Sequence, residues 1–340
     1  MWKTLFGGVV IGGALASACG GSAPPPTTPE PPAADTAGAA TPAPGSPAAG
    51  ASGASQDYDQ GVAALGRGDV DGAKALQAKM QARDPKDASA ALLLGLIDEK
   101  QGDAAGAERA YRDAVKLRPD LEAAYLNLSA LLIDQKRTDD ALTVARAGLS
   151  KLPSSAGLHA NVATVLAEKG DQAGASGEFD QATHAAPSDP MLLVTYAHWL
   201  RVWKQGDAAL AKLRAARPLT KDPGMLAGIG EEMKGLGAFS DCISTLDQAI
   251  AAKSAPELLT YRAMCKRGAK DAAGAKADLD AAIAGQYAPA HFYLARVLAE
   301  SGDAKGAATE YETFLKLEPN VPAAKLAREE LKRVKEHQKK

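Results

Sequence analysis

Four prolines recur at a constant interval, and this interval constrains the fold more than any other feature of the sequence. The interval is 34 residues, and it separates Pro85, Pro119, Pro153 and Pro187. Pro319 follows Pro187 by 132 residues, which is four residues short of four such intervals. Because proline cannot continue a helix, each of them marks a break in the chain. A period in this range is typical of a solenoid built from similar stacked units.

Other residues keep the same interval. A Gly-Asp pair lies 17 residues before a proline of the series, an alanine follows the glycine by five residues, and an aromatic residue follows the alanine by four. A small residue stands seven positions before the pair. These positions are Gly68-Asp69, Gly102-Asp103, Gly170-Asp171 and Gly302-Asp303; Ala73, Ala107, Ala175 and Ala307; Tyr111, Phe179 and Tyr311; and Gly95, Ala163 and Ala295. The repetition indicates that every unit makes the same internal contacts.

The spacing predicts two helices in each unit. Glycine commonly terminates helices, so Gly102 ends a first helix that starts near Leu92, and a second helix runs from about Ala104 until Pro119 stops it. Alanine accounts for 74 of the 340 residues, which favours helices and lets them cross closely. Aromatic residues make up only 5%, too few for a large β-sandwich or barrel. We therefore predict an all-α fold.

The units resemble tetratricopeptide repeats, whose pattern places Gly/Ala, Gly-Asp, Ala, an aromatic residue and Pro at these offsets. The resemblance implies a right-handed superhelical solenoid of about eight helix-turn-helix units over residues 56–321, closed by a polar capping helix over 322–340. Two units depart from the pattern: one has Lys136-Arg137 instead of Gly-Asp, and one has a shifted Gly206-Asp207 and an early Pro218. The units are 54–87, 88–121, 122–155, 156–189, a degenerate 190–222, 223–256, 256–289 and 288–321.

The N-terminus is typical of an exported protein. Residues 1–18 have a positive start, a short apolar stretch and small residues before Cys19, as in a signal peptide. The segment resembles a lipoprotein signal in which Cys19 is lipidated, although Leu15 lies one residue further back than usual; ordinary Ala-x-Ala cleavage is the alternative. Gly20 after the cysteine implies the outer membrane by the same resemblance. Residues 19–55, rich in Pro, Ala and Gly, are predicted to be a disordered tether.

No catalytic or metal-binding pattern is found in the sequence. The five histidines form no His-x-x-x-His pair, and the Gly-rich stretches fall on repeat positions rather than in nucleotide-binding loops. With 39 Lys+Arg against 41 Asp+Glu, the net charge of −2 gives no sign of nucleic-acid binding. We therefore predict a non-enzymatic protein with no cofactor, no metal and no nucleic-acid partner.

Two cysteines remain after Cys19. Cys242 falls on the second helix of one unit and Cys265 on the first helix of the next, each about a dozen residues from the turn near Ser254. Antiparallel helices would place them at similar heights, and an exported compartment favours oxidation. A disulfide between them is one interpretation; two separate buried thiols are the other.

The resemblance also implies a binding surface, because the first helices of such repeats line a concave groove. By register, the groove carries Tyr58, Leu92, Leu96, Asn127, Asn161, Thr164, His198, Arg201, Glu231, Lys234, Tyr261, Met264, Arg267, Phe292 and Arg296. The second half of this set is richer in Arg and aromatic residues, a composition that dominates protein interfaces. Tyr58 stands where carboxylate-binding members of the family carry Lys, so a C-terminal carboxylate ligand is not expected.

The expected function is a scaffold held at the periplasmic face of the outer membrane by its lipid, binding peptide or protein partners during assembly of a pilus, a secretion or motility machine, or the outer membrane. A soluble periplasmic or secreted form is the alternative location. An adaptor for cell-wall enzymes and an unrecognised periplasmic enzyme are the alternative functions.

Overall fold

The computed structural model of the protein describes residues 49–337. They fall into two units, here called the N-terminal unit (residues 49–185) and the C-terminal unit (residues 186–337). The predicted signal peptide, Cys19 and residues 20–48 of the predicted tether lie outside the described residues, as do residues 338–340 of the predicted capping helix.

The N-terminal unit consists of eight helices. They are α1 (Ala49–Gly66), α2 (Val70–Arg83), α3 (Ala88–Gln101), α4 (Ala104–Leu117), α5 (Glu122–Asp134), α6 (Thr138–Leu149), α7 (Ala156–Glu168) and α8 (Gln172–Ala185). Consecutive helices pack in pairs, α1 with α2 and so on. Helix α1 begins at Ala49, seven residues before the start at residue 56 that the sequence predicted.

The C-terminal unit repeats the arrangement and adds a final helix. It comprises α9 (Pro190–Val202), α10 (Gly206–Ala216), a short 3₁₀ turn (Arg217–Leu219), α11 (Pro223–Gly235), α12 (Phe239–Ala252), α13 (Pro256–Gly268), α14 (Ala272–Ala284), α15 (Pro289–Glu300), α16 (Ala304–Leu317) and α17 (Pro322–His337). Helix α17 packs on α16 through buried Ala324 and Ala327. Over residues 49–337 there are thus eight helix pairs and a final helix, with no strand, and the all-α prediction is confirmed.

The turn inside each pair is fixed by one residue with a left-handed backbone. Its φ angle lies between 62° and 85° in all eight pairs. The residues are Gly68, Gly102, Lys136, Gly170, Lys204, Gly237, Lys270 and Gly302, which lie 34 residues apart as far as Lys204 and then 33, 33 and 32 apart. The helices therefore end in register even where lysine replaces glycine.

One expectation about these turns is wrong. The sequence predicted a turn shifted to Gly206-Asp207, whereas Lys204 makes it, 34 residues after Gly170, and Gly206 is already the first residue of α10. Lysine adopts the left-handed conformation at a cost because its Cβ crowds the backbone. Packing of α9 against α10 holds Lys204 in this conformation.

The aspartate of the Gly-Asp pair caps the second helix. In α4, the Asp103 carboxylate accepts a hydrogen bond from the backbone N–H of Gly106 at 2.8 Å, and a Cβ at Gly106 would lie 2.5 Å from that carboxylate. This contact explains the second glycine of a longer pattern, Gly-Asp-x-x-Gly-Ala. That glycine is not among the repeat positions predicted from the sequence. The same cap forms at Asp69, Asp171, Asp271 and Asp303.

Alanine and glycine are the close contacts between paired helices. In the second repeat, Ala107 and Tyr111 are fully buried, and a Cβ at Gly95 would lie 2.3 Å from the Tyr111 ring. The Tyr111 hydroxyl donates to Glu99 at 2.8 Å. The ring occupies the space that the missing side chain of Gly95 leaves, so the two positions are coupled.

Candidate functional site

The most distinctive surface is formed by first helices of the C-terminal unit. Tyr261, Met264 and Arg267 lie on α13, and Tyr293 and Arg296 lie on α15. We call these five residues, together with Tyr287 from the turn before α15, the Tyr–Arg face. All but Tyr287 belong to register positions whose side chains share one side of the first helix, because residues three apart along a helix are neighbours.

The repeat register sets the positions of the two helical tyrosines. Tyr261 lies nine residues before Lys270, and Tyr293 lies nine residues before Gly302, where the turns are made. Met264 and Arg296 occupy the next equivalent position, six residues before the turn. The packing of α14 against both α13 and α15 brings these positions side by side.

The three tyrosines of the face are half-buried and close enough to interact electrostatically. Burial raises the pKa of Tyr261 and of Tyr293, and it raises the pKa of Tyr287 to about 12. Each of the three hydroxyl groups therefore carries its proton at physiological pH. Within the described residues, none of these hydroxyls has a hydrogen-bond partner, which leaves three donors available on one surface.

The arginines of the face are already paired. The Arg267 guanidinium binds the Glu300 carboxylate in a two-bond arrangement, with Nε–Oε2 and Nη2–Oε1 distances of 2.8 Å. Arg296 lies with Nε 3.5 Å from the Glu330 carboxylate of α17 and 5.8 Å from the centre of the Phe292 ring. A cavity of about 220 Å³ beside Arg296 is lined also by Tyr311 and Arg333 and extends the surface to α17.

A second polar cluster joins α9 and α11. Glu232 is 5% exposed, and its carboxylate contacts His198 Nδ1 at 3.0 Å and Arg201 Nε at 2.6 Å. Burial by itself would raise the pKa of Glu232, but the hydrogen bonds with His198 and Arg201 outweigh it and hold the pKa below the ordinary value. On the same helix, Lys234 pairs with Glu231 at 2.7 Å. The repeat register predicts His198, Arg201, Glu231 and Lys234 as groove residues, but it does not predict Glu232.

Two predicted groove residues are buried rather than exposed. Asn161 is 1% exposed, and its side-chain nitrogen donates to Ser129 Oγ at 2.7 Å and to the Leu126 carbonyl at 3.3 Å. Ser129 stands at the small position of its repeat, where its hydroxyl can accept this bond. Phe292 is 5% exposed and packs against Tyr311 at a ring-centre distance of 5.9 Å. Asn161 is covered by the first helix of the preceding repeat, whereas Phe292 is covered by the second helix of its own repeat, so neither side chain is available as predicted.

Among the remaining predicted groove residues, Leu92 is buried in the core. Asn127, Thr164, Leu96 and Tyr58 of the N-terminal unit are half-buried. The hydroxyl of Thr164 donates to the carbonyl of Ala160 in its own helix at 2.9 Å.

Cys242 and Cys265 lie beside each other between α12 and α13, with Cα atoms 6.1 Å apart and both side chains buried. This separation falls within the range that a disulfide spans, and the structure joins the two sulfur atoms. The bond links two successive repeats, because Cys242 lies on α12 and Cys265 lies on α13, the helix that also carries Tyr261 and Arg267.

Two histidines of the described residues contact glutamates of the second helix in their own repeat. His159 contacts Glu178 at 2.6 Å and His291 contacts Glu310 at 2.5 Å, two equivalent pairs that connect the first and second helices of their repeats. Over residues 49–337, no group of three or more His, Cys, Asp or Glu side chains is placed to hold a metal ion. No helix in the same range is long and apolar enough to cross a membrane.

Comparison with known proteins identifies the repeats. The tetratricopeptide-repeat family model matches residues 58–122 and 126–190. No curated protein sequence matches the chain significantly.

Solved structures share the fold at low sequence identity. The yeast Tom70 structure is 16% identical with a TM-score of 0.56, over 84% of this chain and 65% of that one. The Cut9–Hcn1 hetero-tetramer of the APC/C is 16% identical with a TM-score of 0.51, over 82% and 55%. A repeat protein from Cytophaga hutchinsonii is 15% identical with a TM-score of 0.50, over 68% and 97%. The chain thus spans little more than half the length of the APC/C protein.

Proposed function

We propose that this chain is a protein-binding scaffold, because residues 58–122 and 126–190 match the tetratricopeptide-repeat family model, and that the Tyr–Arg face is the surface that takes a partner. The observation that supports this choice is the set of three half-buried tyrosine hydroxyls without internal partners, next to Met264 and two arginines. Tyrosine and arginine dominate binding energy at protein interfaces because they combine large contact area with directed hydrogen bonds.

The proposed setting is the cell envelope. A signal sequence over residues 1–18, a lipidated Cys19 and a tether would hold the repeats near a membrane, on the periplasmic face of the outer membrane. Such an anchor raises the local concentration of the scaffold for partners in the same envelope complex. We propose assembly of a pilus, a secretion or motility machine, or the outer membrane as the process; an adaptor for cell-wall enzymes is the alternative.

Photo-crosslinking in envelope fractions tests the binding surface. A photoreactive residue at position 264 of α13 should crosslink to a protein partner, and the yield should fall several-fold when Tyr261 and Tyr293 are both changed to Phe. These changes remove two hydroxyls and leave the packed rings in place. Tyr125→Phe is the matched control, since its hydroxyl bonds the Pro119 carbonyl in the N-terminal unit at 3.2 Å. Equal yields from all three proteins would contradict a role for the face.

The anchor is tested separately by mass spectrometry of the mature N-terminus. A diacylglycerol-modified Cys19 is expected, together with recovery of the protein in the membrane fraction. Cys19→Ala should release the protein from that fraction without changing the crosslinks of the face. A mature N-terminus with an unmodified Cys19 would disprove lipid anchoring.

A further inference from the structure

We propose that the cavity between α15, α16 and α17 binds an acidic side chain, aspartate or glutamate, of the segment that a partner places on the Tyr–Arg face. The cavity has a volume of about 220 Å³ and adjoins the face, because Arg296 belongs to both. It is lined by Arg296 and Glu300 of α15, Tyr311 of α16, and Glu330 and Arg333 of α17. The inference rests on the proposed function, since it names the chemistry that the partner carries at one edge of the face.

Arg296 brings unused hydrogen-bond donors to this cavity. Its Nε lies 3.5 Å from the Glu330 carboxylate, which is an ion-pair distance but too long for a good hydrogen bond. Over residues 49–337, the Arg296 guanidinium donates no hydrogen bond to the protein, and its side chain is 33% exposed. The Phe292 ring, whose centre lies 5.8 Å from the guanidinium carbon, helps to hold the group in place. A planar guanidinium with unused donors matches the two oxygen atoms of a carboxylate.

The two carboxylates of the cavity are engaged by other residues. Glu300 accepts two hydrogen bonds from Arg267, each at 2.8 Å. Glu330 accepts a hydrogen bond from the hydroxyl of the buried Tyr311. A cationic ligand would have to compete with these donors for the carboxylates, whereas an incoming carboxylate finds the donors of Arg296 unused. The contacts therefore favour an anionic ligand.

The charges around the cavity favour a ligand with a single negative charge. Three arginines, Arg267, Arg296 and Arg333, are grouped with the two carboxylates, which leaves one positive charge in excess. One aspartate or glutamate side chain neutralises this excess, whereas a phosphate group, with a charge of about −1.5 to −2 at pH 7, overshoots it. The hydroxyls of Tyr261 and Tyr293 lie on the adjoining face and are available to the backbone of the same segment. We therefore assign the carboxylate to a side chain within a continuous segment.

Arginine modification of the full-length protein tests the inference with acetate as the probe. Phenylglyoxal labels guanidinium groups, and mass spectrometry gives the rate at each arginine while chloride keeps the ionic strength constant. For a dissociation constant of about 50 mM, about 100 mM acetate slows the labelling of Arg296 about threefold. Arg146 of α6 is the internal reference and should keep its rate, because it is exposed and makes no ion pair within the described residues.

Three results of this experiment would overturn the proposal. They are an unchanged rate at Arg296, equal slowing at Arg296 and Arg146, and stronger protection of Arg296 by inorganic phosphate than by acetate at the same ionic strength.

Crosslinking connects the cavity to the partner. Position 264 and Arg296 are equivalent places on α13 and α15, and packed helices lie about 10 Å apart, a distance that about three extended residues span. The partner segment crosslinked at position 264 should therefore carry an aspartate or glutamate within about four residues. Arg296→Gln should lower the crosslinking yield several-fold, and Arg146→Gln, the matched control, should leave it unchanged.

A double-mutant cycle assigns the contact to that acidic side chain. Its replacement by Asn or Gln in the partner should lower the yield as much as Arg296→Gln does, with no further loss when both changes are combined. Additive losses would overturn the proposal, and so would a segment whose only acidic group near the crosslink is the partner's C-terminal carboxylate.

The outcomes separate this inference from the proposed function. If the protein with Tyr261→Phe and Tyr293→Phe loses its crosslink while Arg296→Gln keeps it, the face binds a partner and the inference is wrong. If no crosslink forms from position 264 in the natural protein, the proposed function fails, and the inference fails with it whatever the effect of acetate.

Discussion

At the scale of single residues, the fold depends on glycines that leave room for a particular ring. Gly95 lies against Tyr111, which is fully buried and held by its bond to Glu99. Gly177 on α8 is exposed, and nothing lies within 4 Å of where its Cβ would be. Glycine at position 95 therefore makes room for a neighbouring ring, whereas glycine at position 177 only adds the conformational entropy that the backbone loses on folding.

These two glycines make a matched pair of substitutions. Gly95→Ala should lower the free energy of unfolding by about 1–3 kcal/mol, because the added methyl group overlaps a ring that cannot move away. Gly177→Ala should raise it by about 0.5–1 kcal/mol, since alanine is the better helix former and meets no neighbour. Urea unfolding followed by circular dichroism measures both. A shift of the same sign for the two variants would refute the packing argument.

The buried carboxylate of Glu232 predicts a pH dependence. Its pKa is held below the ordinary value of 4.5 by the hydrogen bonds with His198 and Arg201, so its ionised form stabilises the folded state above pH 4.5. This contribution is lost as the pH falls through the lowered pKa. Glu232→Gln should therefore cost about 1–3 kcal/mol at pH 7, because it leaves charged partners with a weaker acceptor.

The pH series supplies the control for this prediction. The difference in stability between the natural protein and Glu232→Gln should shrink as the pH falls through the lowered pKa of Glu232, because below that pKa both proteins carry a neutral group at this position. Thermal unfolding from pH 7 down to pH 3 measures the difference. A constant difference over that range would mean that the substitution acts through packing rather than through charge.

At the scale of helices, the array is held in register by left-handed residues at the turn inside each pair. Glycine takes this conformation freely, whereas Lys136, Lys204 and Lys270 take it with φ of 62–65°. The cost of placing a lysine there is about 1 kcal/mol. Because the turn keeps its left-handed conformation with lysine, the packing of the paired helices contributes more free energy than this cost.

Replacing one of these lysines measures the cost directly. Lys204→Gly should stabilise the protein by about 0.5–1 kcal/mol, because the strain at the left-handed position is removed. Lys169→Gly is the control, since Lys169 precedes a turn glycine with an ordinary helical backbone at φ −79°. The control should be neutral or slightly destabilising in the same urea experiment. Stabilisation by both changes would assign the effect to loss of a lysine rather than to the backbone.

At the scale of the whole molecule, each repeat packs on its sequence neighbours, so local links between repeats matter more than distant contacts. The disulfide is such a link. It joins α12 to α13, the helix that carries Tyr261 and Arg267, over a separation of 23 residues. It would therefore limit the separation of this helix from the preceding repeat.

Oxidation and its consequence can be measured together. Protein purified without reductant should resist alkylation at Cys242 and Cys265, and Cys242→Ala with Cys265→Ala should lower stability by about 3 kcal/mol, as expected for closing a loop of this length. The natural protein in reductant is the control, because it lacks the disulfide but keeps both cysteine side chains. Alkylation of both thiols in the protein purified from its own compartment would refute the disulfide.

The helices, their order and most of their turns follow from local sequence patterns. These features depend on residues a few positions apart, such as an aspartate that caps the helix three residues later or a glycine that ends one. Glycine makes five of the eight turns, and this repetition allowed the register to be read even where Lys136 replaces glycine. For the same reason, the reading failed at Lys204, where a nearby Gly-Asp pair gave a competing local signal.

Which first-helix side chains are available to a partner depends on contacts between helices. Asn161 shares its register position, nine residues before the turn, with the half-buried Tyr261 and Tyr293, yet it is buried against Ser129, 32 residues away in sequence. The pairing of Arg267 with Glu300 and of Arg201 with Glu232 is decided at the same distance along the chain. Periodicity fixes the side of a helix on which a residue lies, whereas the size and charge of its neighbours across the repeat fix whether it is free.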